Sequence, residues 1–483
     1  NSTPDQELQI RLGAQSRSIS RSSATGVGNS TFIRGFNSLN SNAQPLYIID
    51  GVIRDNLYDV ASIHEGFYGN PLSFISMSDI RSISLLKDGT SLYGSKAANG
   101  VVLITTKRGT NMATRIDLRI TGGITEAPRS IPVMNANQYR TYLTDILGTT
   151  GISNEEIAQL PYLSDDPKRS TYMTYHNQTD WKNEVYQTGF NQNYSISVDG
   201  GGEKAMYYFS LGYTTNESNV KNTSYQRYTM RLNSDLNLSD RVTTGITIGI
   251  TSLDRSLLDE GANPVSSPAW IAQVKSPFLS PYTYTFQGEQ TTEHAYADVF
   301  DLSNPAALLS RSINTVKQNS FTFGLVPKVK ISKEFDIENQ FDYYLNKTNE
   351  DYYRPYLYSS AVEIQGVGKS YNSRSSQVYR DNSIFNNLQL RYAHEFSPGR
   401  LVNIVAGNRF IYQYFESDYV EGHNSMTNSS INLRGSFRNL FTDGTNELTK
   451  SVSNYITADY KHDNKYFFNL TAAMDASSRF GTE

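Results

Sequence analysis

The 483-residue chain contains no cysteine, which excludes disulfide frameworks and thiolate metal sites. It has no run of 18 apolar residues, so no segment has the composition of a transmembrane helix. Charged residues make up only 19% of the chain, against about 25% in an average soluble domain. The 43 basic and 47 acidic residues leave a net charge of -4, which does not suggest a nucleic-acid or polyphosphate partner.

Aromatic residues are present in excess, with 34 tyrosines and 22 phenylalanines. Many tyrosines, few charges and no apolar helix are typical of an outer-membrane β-barrel, in which aromatic girdles mark the two membrane surfaces. Composition alone leaves other β-rich classes open.

After Thr110 the sequence alternates strictly between apolar and polar residues. In residues 242–251 one face carries mainly valine and isoleucine, and the opposite face carries threonine and glycine. Residues 205–213, 228–238 and 335–345 follow the same pattern, with tyrosines near the ends of several apolar faces. This pattern predicts lipid-facing barrel strands. A single such strand would also fit a sheet with one face on a soluble core.

Eleven strands are predicted, and the lengths of the connections between them distinguish a membrane barrel from a sheet with one face on a soluble core. The predicted strands span residues 114–124, 190–199, 205–215, 225–237, 241–253, 319–331, 335–346, 383–396, 400–415, 452–461 and 465–477. Tight turns such as "LSD", "SKE" and "PG" alternate with connections that are mostly far longer. One rim of short turns and one rim of long loops is the outer-membrane arrangement.

Residues 1–109 have a different texture, with short elements separated by turns. "STFIRGF" and "PLYIIDG" predict strands that end in tight turns, where Gly35 and Gly51 need positive φ. "SDIRSISLLKD" fits either a helix capped by Ser78 or a turn that runs into a strand. We therefore expect an α+β domain over residues 1–109 and a barrel region over residues 110–483.

The size of the first domain predicts a barrel larger than eleven strands can close. Eleven tilted strands would form a barrel about 22 Å across, and twice that number about 44 Å across. A domain of about 100 residues is a sphere roughly 34 Å wide, and only the larger barrel is wide enough to hold it. We therefore expect the first eleven strands of a 22-stranded transmembrane barrel, with the second half, and the beginning of the N-terminal domain, outside this sequence.

The N-terminal domain resembles the plug of TonB-dependent outer-membrane transporters, specifically the SusC-like (SusC/RagA) family of Bacteroidota. The resemblance rests on "FIRGFNSLN" (32–40), "PLYIIDGV" (45–52) and "MSDIRSISLLKDGTSLYGSKAANGVVLITTKRG" (77–109). Barrel segments 179–213, 225–237 and 464–481 are also similar to strands of that family. The stretch between Asp88 and Tyr93 is about two residues shorter than the family pattern.

This resemblance implies active import across the outer membrane of a Gram-negative bacterium, with an oligosaccharide or oligopeptide held between plug loops and long barrel loops. It implies a SusD-like surface lipoprotein as a lid and the TonB-ExbB-ExbD complex as the energy source, with no cofactor. Two alternatives remain within the barrel class: a structural or secretion-associated component of the outer membrane, and a metal-chelate receptor. A soluble β-rich adhesin is a further alternative.

Two groups of plug residues are singled out by these motifs. The plug structural motif comprises Arg34, Gly35, Asp50, Gly51, Asp88, Tyr93 and Gly94, with Arg34 as a candidate ion-pair partner of Asp50 or Asp88. The predicted ligand contacts combine amides, hydroxyls and aromatic rings, which suit sugars or peptides. They are Asn37, Ser38, Asn40, Ser41, Asn56, Leu57, Tyr58, His64, Phe67 and Tyr68.

Enzymatic motifs are weak in this sequence. The six histidines are scattered without metal-ligand spacing. "GTSLYG" lacks the second glycine of a nucleophile elbow, because Tyr93 occupies that position. We therefore expect neither a catalytic site nor a metal site.

Overall fold

In the computed structural model of the chain, the residues with a described structure are 9–10, 13–20, 22, 24–39, 42–54, 62–64, 66–69, 72–129, 131–260, 264–426, 433, 437, 439–463 and 465–480. Two parts are evident: a small α+β unit and a large antiparallel sheet.

Among the described residues of the α+β unit are six short strands and one short helix. They are β1 (Ser16–Ile19), β2 (Ser30–Ile33), β3 (Leu46–Ile49), β4 (Val52–Arg54), β5 (Ile80–Leu86), α1 (Thr90–Tyr93) and β6 (Val101–Thr106). Strands β1 and β2 pair separately, and the others form a sheet in the order β4-β3-β6-β5. Within it β3 and β6 run parallel, whereas β4 and β5 are antiparallel to their neighbours.

The local predictions for this unit are confirmed. Turns follow β2 and β3, with φ of 91° at Gly35 and 84° at Gly51. The preceding Arg34 and Asp50 also have positive φ, which is uncommon for residues with a side chain. The ambiguous "SDIRSISLLKD" segment forms a 3₁₀ turn at Met77–Asp79 that leads directly into β5.

All eleven predicted strands of the large sheet are present. The strands after the α+β unit are β7 (Met112–Thr125), β8 (Gly189–Gly201), β9 (Ala205–Glu217), β10 (Ser224–Asn237), β11 (Val242–Ser256), β12 (Tyr282–Tyr284), β13 (Gln290–His294), β14 (Ile313–Lys330), β15 (Phe335–Arg354), β16 (Val362–Ile364), β17 (Gly368–Ser370), β18 (Ser373–Ser397), β19 (Arg400–His423), β20 (Asn439–His462) and β21 (Tyr466–Ser477). Strands β12–β13 and β16–β17 form small sheets of their own.

The remaining eleven form one antiparallel sheet in which every strand pairs with its neighbours along the chain, and β7 and β21 are its edges. We call the end with short connections the turn rim and the end with long connections the loop rim. Short and long connections alternate as predicted.

Several strands are longer than predicted, and the largest extensions are toward the loop rim. β15 continues to Arg354 instead of residue 346, and β18 begins at Ser373 instead of residue 383. β19 and β20 extend similarly. The added segments, such as Lys347–Asp351, are polar on both faces and lack the alternation that identifies a membrane strand. Strand pairing continues because each extended strand has an equally extended neighbour.

The two faces of the sheet match the predicted alternation. Leu211, Tyr228 and Ile250 on the apolar face are each more than 40% exposed. Arg231 and Asn233 on the polar face are buried against the α+β unit. On the outer face Tyr213 stacks between Tyr194 and Tyr228, with ring centroids 6.3 and 4.8 Å apart. These rings are placed as an aromatic girdle would be.

Short helices lie in the long connections. They are α2 (Ala136–Thr149), α3 (Asn154–Gln159), α4 (Tyr172–Tyr175), α5 (Trp181–Val185), α6 (Pro268–Val274) and α7 (Pro305–Arg311). Their N-caps include Asn135, Ser153, Ser267 and Asn304, each of which accepts a backbone hydrogen bond through its side chain. None of the helices in the described ranges is both long and apolar enough to cross a bilayer.

Candidate functional site

The structure separates the predicted ligand contacts into two groups. His64, Phe67 and Tyr68 lie at the loop rim. Residues 24–29, which precede β2, contact the wall at the loop rim, and Asn37 and Ser38 follow the opposite end of β2. His64 and Phe67 are 1% and 2% exposed, and Tyr68 is 43% exposed. The predicted contacts Asn40, Ser41, Asn56, Leu57 and Tyr58 lie outside the described residues.

His64 is bonded to Asp259, which lies in the long connection between β11 and β14. Its Nδ1 lies 2.7 Å from Oδ1 of Asp259. The other carboxylate oxygen of Asp259 accepts hydrogen bonds from the hydroxyls of Ser266 and Tyr352. Both Asp259 and His64 are buried, so this contact joins the α+β unit to a long loop in a setting with little water.

The neighbouring Glu260 makes a second contact of the same kind. Its Oε1 accepts a hydrogen bond of 2.9 Å from the hydroxyl of Ser22. Burial raises the pKa of Glu260, and the Ser22 hydrogen bond opposes that rise. Two consecutive carboxylates therefore hold two separate segments of the α+β unit, and we call Asp259 and Glu260 the acidic clamp.

The loops themselves form a folded unit above the sheet. Trp181 and Val185 of α5 pack with Phe278, Leu279 and Leu309 from the connection between β11 and β14. Next to this core, Lys275 pairs with Asp298 in a buried contact and lies 5.4 Å from the centroid of the Trp181 ring. Burial lowers the pKa of Lys275, and the Asp298 carboxylate opposes that fall. The loop rim is thus built as a structured surface.

Below the loops, one side of the α+β unit is bonded to the wall through buried polar groups. The carboxylate of Asp79 accepts hydrogen bonds from Tyr208 at 2.9 Å and Ser210 at 2.7 Å. Asn233 donates to Thr106 Oγ1 at 3.0 Å and to the carbonyl of Lys107 at 2.6 Å. These contacts tie the 3₁₀ turn and the end of β6 to β9 and β10.

An ion pair completes this side of the interface. A guanidinium nitrogen of Arg54 lies 2.7 Å from Oδ1 of Asp342 on β15, and both side chains are under 10% exposed. The same guanidinium lies 4.8 Å from the ring centroid of Tyr344. We call the contacts of Arg54, Asp79, Thr106 and Lys107 with β9, β10 and β15 the polar face.

The opposite side of the small sheet meets the wall through hydrocarbon. Leu46, Ile48, Val52, Ile53, Ala97 and Val101 cluster with Phe385 of β18, and Ile411 of β19 packs against them. Arg409 adds a hydrogen bond of 3.2 Å to the carbonyl of Leu92. We call this hydrophobic cluster the apolar face.

A cavity of about 590 Å³ lies at the turn rim, between the α+β unit and the wall. It extends from Arg108 and Asp235, which are joined by a charge-assisted pair at 2.9 Å, to Tyr93 and Arg409. Inward-facing polar residues of β15 and β18 line it, among them Glu338, Gln340, Asn387, Gln389 and Arg391. The cavity is therefore hydrophilic.

The plug-motif residues surround this cavity or stabilise turns next to it. Asp50 accepts hydrogen bonds from the backbone NH and the hydroxyl of Thr106, at 2.8 and 2.7 Å. Asp88 accepts from the hydroxyl of Thr90 at 3.0 Å. Within the described part of the chain neither carboxylate contacts Arg34, so these two partners do not form the expected ion pair, and an ion pair of Arg34 with another plug or wall carboxylate stays a prediction. The partners of Asp50 lie in its own sheet and, at 3.9 Å, on Arg231 of the wall.

Tyr93 and Gly94 end helix α1 beside β19. The guanidinium of Arg409 lies 5.4 Å from the centroid of the Tyr93 ring. Burial raises the pKa of Tyr93, and the Arg409 charge opposes that rise. Gly94 has a φ of 73° and a ψ of −166°, a conformation that favours glycine.

Comparison with known proteins agrees with this geometry. Residues 6–101 match the family model of the TonB-dependent receptor plug domain. TonB-dependent receptor SusC of Bacteroides thetaiotaomicron is 25% identical over 488 residues, which cover 96% of this chain and 44% of SusC. The chain is therefore similar to SusC along nearly its whole length. It is also 26% identical to TonB-dependent receptor P39 of Formosa agariphila over 479 residues, 96% of this chain and 41% of P39.

The fold of this chain also matches a solved structure, that of the RagAB peptide transporter. The TM-score is 0.75 at 18% identity, covering 97% of this chain and 53% of that one. The α+β unit is therefore a plug, and the large sheet is the wall of a plugged β-barrel. This fold indicates the outer membrane of a Gram-negative bacterium. The chain spans less than half the length of the curated relatives.

Sequence reasoning missed the residues that join plug and wall. Asp79 lies within a recognised motif, yet its partners on β9 are about 130 residues away, and no local pattern connects them. The acidic clamp lies in a predicted long loop. Its signal was an acidic pair shortly after the end of a strand, which is too common to indicate a contact.

Proposed function

We propose that the chain belongs to a TonB-dependent importer that carries an oligosaccharide or oligopeptide across the outer membrane. Residues 1–109 act as the plug and residues 110–483 as part of the barrel wall. One observation carries the proposal: a plug is bonded to the inner face of an antiparallel sheet whose loop rim is folded and contacts the plug directly. Such an arrangement closes a pore while leaving a surface for cargo.

The relatives support import over the alternatives. They are named TonB-dependent receptors, and the similar solved structure is described as a peptide transporter. The proposed energy source is the TonB-ExbB-ExbD complex, and the proposed lid is a SusD-like lipoprotein on the loop rim. A structural or secretion-associated role, or metal-chelate uptake, has no comparable support, and the relatives named above are receptors, with no enzyme among them.

The acidic clamp gives this function a physical basis. Cargo that displaces the loop after β11 pulls on Ser22 and His64 at once, because consecutive carboxylates hold both. Tyr68 is the predicted contact best placed to touch cargo, since its ring is largely exposed beside the buried His64 and Phe67. We propose that the predicted contacts Asn56, Leu57 and Tyr58, which precede His64 in the same segment of the sequence, complete the site.

Native purification of the full-length protein from outer membranes, with mass spectrometry of what accompanies it, tests the proposal. We expect a SusD-like lipoprotein and trapped glycans or peptides. Secretion or envelope components without such a lipoprotein would contradict import. A protonophore should abolish the uptake, by intact cells, of whichever molecule class is found.

Tyr68→Ala should weaken binding of the co-purified cargo without affecting barrel assembly, because it removes an exposed ring from the proposed site. Calorimetry on the purified protein measures this. Tyr228→Ala is a matched control, since Tyr228 is 55% exposed, against 43% for Tyr68, but faces outward. Equal affinities for the two variants would remove Tyr68 from the site.

A further inference from the structure

The plug is held differently on its two faces, and this difference carries an inference about where cargo leaves. Resting on the proposed function, we propose that the energised plug stays bonded at the polar face and separates from the wall at the apolar face. Cargo then passes between the plug and β18–β19 into the turn-rim cavity. The chemical class that fits is a hydrophilic cargo.

The first step concerns the polar face. Moving the plug away from β9, β10 and β15 would separate Arg54 from Asp342 and leave both charges largely buried. It would also remove both hydroxyl donors from Asp79, which is only 2% exposed. Breaking a buried charge pair or stripping a buried carboxylate of its donors is strongly unfavourable. These contacts favour a plug that remains attached here.

The second step concerns the apolar face. Phe385 and Ile411 pack in the same hydrophobic cluster as Ile53, and hydrophobic contact is non-directional and proportional to area. Such a contact weakens gradually as surfaces slide apart. Among the described residues no buried ion pair crosses this face, so it is the side where the plug separates more easily.

The third step concerns what lies beneath. The turn-rim cavity reaches Tyr93 and Arg409 at the edge of the apolar face. Its volume of about 590 Å³ lies within the range of about 300–1,000 Å³ that is typical of ligand pockets. Its wall on β15 and β18 presents amides and charged groups, which can replace water around hydroxyl or peptide groups. A gap opening at the apolar face leads directly into this space.

A narrow point separates the gap from the rest of the cavity. Gln340 Nε2 donates a hydrogen bond of 2.7 Å to the carbonyl of Asp50. A Cβ on Gly51 would lie 3.0 Å from the side-chain oxygen of Gln340, so the β3–β4 turn closely approaches β15 there. One neutral hydrogen bond is easily exchanged for water, and it therefore presents a small barrier.

Single introduced thiols report on each face, and the parent protein, labelled in parallel, gives the background. The full-length protein would carry Ile53→Cys at the apolar face or Ile75→Cys on the side of the polar face. Both isoleucines are buried, and the carbonyl of Ile75 accepts from Arg227 of β10. The probe is a small charged methanethiosulfonate, and its rate of reaction is measured in energised cells and in cells treated with a protonophore.

We expect several-fold faster labelling of Ile53→Cys in energised cells and no change for Ile75→Cys. Equal acceleration at both positions, or acceleration at Ile75→Cys alone, would overturn the inference while leaving energised import intact. No acceleration at either position would overturn the inference, and uptake that also ignores the protonophore would overturn the proposed function. If a cysteine loosens the plug, Val101→Cys and Val102→Cys form a second, nearly isosteric pair, because these adjacent residues of β6 lie in the clusters on the two opposite sides.

Discussion

The two faces of the plug sheet pack against the same wall, but one contacts it through polar groups and the other through hydrocarbon. On the polar face, a carboxylate, a guanidinium and several hydroxyls are matched group by group with β9, β10 and β15. On the apolar face, aliphatic side chains meet Phe385 and Ile411. The first interface specifies one position of the plug, because every buried donor needs its own acceptor. The second resists separation without fixing position.

This difference shows how a plug can be both firmly seated and movable. Hydrophobic contact supplies much of the attraction, and the buried polar groups decide which edge remains in place. The anchoring role of the polar face can be tested by removing a charge from it, or by removing single hydrogen bonds.

The largest effect is expected for Arg54→Leu. The variant leaves the Asp342 carboxylate buried without its counter-charge, and we expect plug stability to fall by about 3–5 kcal/mol. Hydrogen exchange of the β3 and β6 amides in the purified full-length protein measures the change.

The double variant Arg54→Leu/Asp342→Leu is the control. Replacing a buried ion pair by apolar residues is often nearly neutral, so most of the lost stability should return. A double variant as unstable as the single one would show that Arg54 acts through its ring contacts with Tyr344 and Phe74, and that the ion pair is unimportant.

A smaller effect is expected for Tyr208→Phe, which removes one hydroxyl donor from Asp79. Hydrogen bonds to charged groups contribute about 1.5–3 kcal/mol, so plug stability should fall by about that amount. Tyr207→Phe is a matched control on the adjacent residue, because its hydroxyl bonds to the exposed Thr114 and faces away from the plug. If both variants lose the same stability in the exchange measurement, the Asp79 contact does not anchor the plug.

The wall of the molecule could be predicted from sequence because its signal is local. A strand that separates lipid from a polar interior must alternate residue by residue, and the eleven strands were found by that alternation. The same reasoning failed above the membrane. Segments such as residues 347–351 carry polar residues on both faces, so the sequence of residue types does not distinguish a strand from a loop there.

Contacts between plug and wall could not be predicted, because they join residues far apart in sequence. Asp50 and Arg34 occupy neighbouring motifs, which suggested an ion pair, yet Asp50 bonds with Thr106 on the adjacent strand. Turn geometry was easier, since Gly35 and Gly51 sit where the chain must reverse. Backbone requirements appear in the sequence itself, whereas partners across an interface depend on how separate elements are brought together.

The smallest predicted effect concerns the acidic clamp and its dependence on pH. Burial raises the pKa of Glu260, so the folded state binds a proton more readily than the unfolded loop does. The contact is therefore most stable at low pH and weakens as pH rises through the raised pKa.

Glu260→Gln keeps a hydrogen-bond acceptor for Ser22 but does not titrate. Hydrogen exchange of residues 22–29, corrected for intrinsic rates, should slow from pH 8 to pH 5 in the parent protein and stay level in the variant. We expect a difference of about 0.5–1 kcal/mol at the upper end, the size of one modest hydrogen bond. The same slope in both proteins would assign the titration to another group.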